Sequence, residues 1–145
     1  MEDTMIEDVQ QYLIDEGIAI EGSSFLGTTP DSPDAQVNIF DTGGPGPDDE
    51  LFDADGGMVQ TRTFQVYVRT DAEDDAAYNT GRKKMNDVIS KLHVVRSKQI
   101  GGTYFDYIMA NSAGGHIGRD EAGRDEFTAN FTARIKTSQA EVRGI

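Results

Sequence analysis

At 145 residues the chain has the length of one ordinary domain, able to bury about two thirds of its unfolded surface. It contains no cysteine, which excludes disulfides, thiolate metal sites and a cysteine nucleophile, and its formal net charge is −13. That charge is lopsided: residues 1–75 hold nineteen acids against two bases, Arg62 and Arg69, whereas residues 76–145 hold seven acids against eleven bases.

Residues 3–16 place Ile6, Val9 and Leu13 three and four apart, with Asp3 as cap and Gly17 as a left-handed stop, which predicts an amphipathic helix. The Gly-, Ser- and Pro-rich stretch 21–35 reads as a loop with a short extended piece near Phe25. Val37 and Ile39 alternate with Gln36, Asn38 and Phe40, which predicts a strand over 36–41. After it, 41–57 combines five Gly, two Pro and six acids, a composition that predicts a long loop unable to order itself by burial. From Met58 to Thr70 the period is two, with Phe64, Val66 and Val68 on one face, the strongest strand signal present. Residues 72–93 run from acids (Glu73, Asp74, Asp75) to bases (Arg82, Lys83, Lys84, Lys91), the order a helix dipole favours, with an apolar stripe from Ala77 to Leu92. Two more strands are predicted at about 99–111 and 125–137, joined by a Gly-rich turn at 113–124. The expected fold is therefore α+β, with a mostly antiparallel four-stranded sheet, two helices on one face and the order α-β-β-α-β-β, in a single domain spanning 1–145.

No motif anchors an enzyme. His93 and His116 lie too far apart for a zinc spacing; His93 reads as a cap on its helix and His116 as a solvated turn residue. Asp48, Asp49, Glu50, Asp53 and Asp55 precede Gly56, but aligning that glycine with a calcium loop puts Leu51 and Arg62 where ligands belong. Ser23 and Ser24 lack a nucleophile-elbow setting, and the glycines match no phosphate-binding fingerprint. No cofactor is expected. The acidic half argues against direct nucleic-acid binding, and the bases at 82–84, 96 and 98 have no interleaved aromatics. The amino terminus is acidic where a signal peptide is basic, and no apolar run approaches the roughly 20 residues that span a bilayer, so a soluble chain with no membrane partner is expected. Seventeen Asp against five Lys suits a surface solvated in molar salt, as in halophilic archaea or their viruses; ordinary acidic solubility is the alternative.

The segment Gly114–Phe131, with its glycine turn, its Arg-Asp-Glu at 119–121 and its alternating strand, resembles the carboxyl-terminal hairpin of the tail terminator and minor capsid (tail completion) proteins of long-tailed phages. Upstream, the Ile39–Gly44 and Val59–Arg69 patterns stand in the matching order. The resemblance implies a small α+β subunit in the virion tail or neck, assembled in the host cytoplasm. It implies a homo-hexameric ring that caps the tail tube protein, meets the head–tail connector and neck proteins, and passes DNA only as cargo. A ring of identical subunits needs one patch to meet a different patch on the next copy. The expected interface residues are Arg82, Lys83, Lys84, Arg119, Asp120, Glu121 and Arg124, with Asp48, Asp49, Glu50, Asp53 and Asp55 on a partner-facing loop. A cytoplasmic haloarchaeal module that binds a cationic protein through its acidic half remains the competing reading, and an acidic hydrolase a third.

Overall fold

The computed structural model describes residues 4–52, 58–72 and 75–137. Eight elements follow in the order α-β-β-α-β-β-β-β: α1 (Met5–Asp15), β1 (Gln36–Phe52), β2 (Met58–Arg69), α2 (Ala77–His93), β3 (Arg96–Ile100), β4 (Thr103–Ala110), β5 (Gly115–Arg119) and β6 (Asp125–Thr137). All strand pairs are antiparallel, in the order β1-β2-β6-β4-β3, with β5 also paired to β6.

The expectation of four strands in the order α-β-β-α-β-β is corrected to six. The span expected as one strand at 99–111 is broken by Gly101, whose φ of +58° turns the chain between β3 and β4. The glycine turn expected at 113–124 is shorter, because Gly115–Arg119 pairs with Asp125–Thr128 as β5. The segment read as a loop from Asp41 is strand as far as Phe52, with register shifts after Asp41, Gly43 and Pro47. Composition misled here because β2 offers a row of backbone partners that satisfy the segment without burial. Gly44 makes the pairing possible: at φ +114° a Cβ there would lie 2.7 Å from the Thr61 carbonyl oxygen.

The core sits between the sheet and the two helices. Met5, Val9 and Leu13 of α1 and Met85, Val88 and Leu92 of α2 join Phe64, Val66, Val68, Phe105, Ile108, Phe127, Ala129, Phe131, Ala133 and Ile135 in one buried cluster. The alternation in β2 and β6 is the period-two pattern of the sequence, because only one face of each strand meets the helices. Phe64 and Phe131 face each other across the β2–β6 ladder and stack with ring centroids 5.1 Å apart. α2 rests on β6, β4 and β2, while α1 touches β1 and β3, the two edges. On the β3 side Asp8 accepts hydrogen bonds from Thr103 at 2.6 Å and Thr4 at 2.9 Å. On the β1 side Gln10 donates to the Ser24 carbonyl at 2.9 Å.

The opposite face of the sheet is covered at one end by the loop before β1. Arg69, 4 % exposed, donates to four of its carbonyls: Asp34 at 2.8 Å, Pro30 at 2.9 Å, Asp31 at 3.1 Å and Pro33 at 2.8 Å. Gln36, its cross-strand neighbour, donates to Pro30 and Pro33. No helix among the described residues is long and apolar enough to cross a membrane.

Candidate assembly surfaces

The expected interface residues fall into three groups. Arg82 and Lys83 are exposed on the first turns of α2, free to meet another molecule, whereas Lys84 is half-buried and donates to the Ile18 carbonyl at 3.0 Å. Arg119, Asp120, Glu121 and Arg124 come together at the β5–β6 turn. Within it, Asp120 accepts the backbone N–H groups of Ala122 and Arg124, both at 3.0 Å, and the Arg124 Nε–H at 2.8 Å. Burial pulls the Asp120 carboxyl upward, but the hydrogen bonds from Arg124 outweigh it and hold the group below the usual carboxylate range. Arg124 is itself buried, 6 % exposed, and bridges back to the β1 loop through Asp31 and Asp34. The structure thus gives Asp120 and Arg124 partners inside their own chain, and leaves Arg119 and Glu121 exposed.

One buried acid was not singled out by sequence reasoning. Asp125, 2 % exposed, binds Arg119 Nη2 at 3.2 Å and His116 Nε2 at 2.9 Å. His116 is exposed, as expected, but lies on a strand and not in a turn: β5 pairs it with Phe127, and the two rings lie 4.9 Å apart, with Tyr78 of α2 edge-on to His116 at 5.2 Å. Only the register of β5 could have revealed this trio, and β5 itself was hidden in a glycine-rich turn. His93 does end α2, and its Nδ1 accepts the Ala110 N–H at 3.0 Å, so it ties the helix to β4.

Burial alone raises the Asp125 carboxyl, and the hydrogen bonds from Arg119 and His116 reverse this, leaving it below the usual range. A folded-state value depressed below the unfolded one adds stability above the ordinary carboxylate value of about 4, which is lost as pH falls through the folded value. Thermal unfolding across a pH series is expected to show falling stability below about pH 4, with a shallower slope in Asp125→Asn. The flattening should be partial, since Asp120 acts with the same sign. An unchanged slope would assign the acid sensitivity to other carboxylates.

The acidic positions occupy the other end of the sheet. Asp48, Asp49 and Glu50 lie on β1 towards its end at Phe52, which pairs with Met58; Asp53 and Asp55 lie outside the described residues. Ten residues of β2 separate Met58 from Val68, which pairs with Phe127, so the two ends are about 33 Å apart at 3.3 Å per residue. Exposed Arg82, Lys83 and Arg119 lie at the opposite end, where they share the surface with exposed Asp31, Asp71, Asp75 and Glu121. Among the described residues no group of three or more His, Asp or Glu is placed to hold a metal ion.

Residues 12–137 match the family model described as bacteriophage tail terminator protein. No curated protein matches the chain. Among solved structures, a chain of the virion of a native gene transfer agent particle is similar in fold, with a TM-score of 0.56 at 17 % identity, over 88 % of this chain and 91 % of that one.

Proposed function

The chain belongs to the bacteriophage tail terminator family, a structural protein of the virion tail or neck, and we propose that it forms a ring that caps the tail tube and joins it to the head–tail connector. The observation that carries this reading is the match of residues 12–137 to the tail terminator family, and the exposed bases Arg82, Lys83 and Arg119, set apart from the acids at the end of β1, suit a heterologous contact. Six copies are the number the family resemblance implies. Arg82, Lys83 and Arg119 are the exposed members of the proposed interface, joined by Glu121; Lys84, Asp120 and Arg124 support it by fixing the elements that carry them. DNA is cargo passing through the ring, repelled by its acidic surface.

The test uses purified protein and polymerising tail tube protein. Closed rings by electron microscopy, and tubes that stop growing once the chain is added, are the expected results. Arg82→Glu combined with Lys83→Glu should shift sedimentation from ring to monomer, an effect that weakens as salt screens the contact. An assembly state untouched by that reversal would count against a charge-guided interface.

A further inference from the structure

Resting on the ring reading, we infer that Ile117 of one copy docks in the apolar cleft walled by Ile18, Ile20, Val37 and Val68 of the next copy. Ile117 is the extra residue of a β-bulge: His116 pairs with Phe127 and Gly118 with Glu126, so no residue of β6 stands opposite it. It is 59 % exposed, on a strand whose outer edge has no strand beside it among the described residues. A Cβ at Gly115 or at Gly118 would meet nothing within 4 Å, so the isoleucine projects as a knob with open space on both sides. The cleft, of about 200 Å³, opens between α2 and the start of β1, and Ile20 at its rim is 66 % exposed. Joining the two removes apolar surface of both from water. Its cations are engaged within the chain: Lys84 donates to the Ile18 carbonyl at 3.0 Å, and Arg69 to the carbonyls of residues 30–34. Exposed Asp71 lines the cleft and exposed Glu21 follows Ile20, a rim that suits a cationic neighbour. Arg119, two residues beyond Ile117, is one, with 61 % of its side chain exposed while it pairs with Asp125.

Knob and cleft lie at the two ends of one cross-strand row. His116 pairs with Phe127, Phe127 with Val68 and Val68 with Val37, which carries the row from β5 through β6 and β2 to β1. Three strand spacings, about 14 Å, separate its ends. The helix α2 sits over the middle, where Gly81 lies so close to Phe127 that a Cβ there would be 2.3 Å from the ring. Ile117 therefore cannot enter the cleft of its own chain. In copies set side by side, the β5 end of one row meets the β1 end of the next in register. Residues 23–27 already bond to the outer edge of β1 at Val37 and Ile39, so the contact there is made by side chains and not by an added strand. Two different patches meet, which is the heterologous geometry a ring requires.

The absence of native cysteine makes the test direct. One preparation carries Gly115→Cys beside the knob, a second Ala35→Cys at the exposed lip of the cleft, and a third, as a distant control, Lys98→Cys on β3. Treating the mixture of the first two with a short thiol crosslinker should give dimers containing one chain of each kind, at a yield at least threefold above the mixture of the first and third. Adding Ile117→Asp to the Gly115→Cys chain should remove most of that excess, and Ile117→Ala, which brings no charge, part of it. Because Ile117 is exposed, both changes should leave the circular dichroism spectrum of the chain unaltered. Rings visible by microscopy without the excess, or with an excess that Ile117→Asp leaves intact, overturn this docking and leave the ring reading standing. If the unmodified protein forms no rings or other self-assembly, the ring reading falls and this inference with it.

Discussion

Replacing Arg69 by alanine is expected to destabilise the fold by about 1–3 kcal/mol, the cost of leaving buried carbonyl acceptors short of a charged donor. At roughly 3 °C per kcal/mol for a domain of this size, the melting temperature should fall by about 3–9 °C. The reason is geometric. One guanidinium gathers four carbonyls of residues 30–34; Gln36 also donates to Pro30 and Pro33 and Arg124 to Asp31, so the Asp34 carbonyl depends most on Arg69. Arg69→Lys should recover only part of the loss, since an ammonium keeps the charge without the planar fork. Calorimetry measures the shift, and limited proteolysis should show cleavage rising first between Pro30 and Asp34. A loss below about 1 kcal/mol would show that the loop holds through Arg124 and Gln36 alone.

The second large effect concerns Phe131, which is fully buried and stacked on Phe64. Phe131→Ala should cost about 3–5 kcal/mol from lost burial and the cavity left behind, near the limit of what a domain of this size can lose. Phe131→Leu keeps most of the volume and gives up mainly the ring contact, worth about 0.5–1.5 kcal/mol beyond its area. Chemical denaturation of both variants gives the comparison, and equal losses would mean that ring geometry, and not volume, dominates the site. The fold depends on this residue because β6 is the strand that β2, β4 and β5 all pair with.

What could be read from the sequence follows from where each segment meets the core. Phe64, Val66 and Val68, like Phe127, Ala129, Phe131, Ala133 and Ile135, alternate cleanly because their strands have one face on the helices, so β2 and β6 were legible to within a residue or two. Ile6, Val9 and Leu13 gave α1 for the same reason at helical spacing. The extension of β1 past Asp41 and the existence of β5 were not legible, because both are held by backbone pairing to a neighbour and bury little side chain of their own. Composition carries no trace of that support. Of the expected interface, Arg82, Lys83, Arg119 and Glu121 are at the surface, but Arg124 is not: its partners Asp31 and Asp34 lie about ninety residues away in the chain. Charge counted along a sequence shows no such closures, and the same limit hid Arg69.

The reach of α1 to both edges of the sheet also sets the order in which the molecule can be finished. The β1 side of its contact is available early in synthesis, whereas the bond from Thr103 to Asp8 joins residues 95 apart. Until β3, β4 and the β6 that joins them to β2 have left the ribosome, Met5, Val9 and Leu13 can be only partly covered. Closing that contact is a long-range step, of the kind whose chain entropy must be met before the contact rewards it.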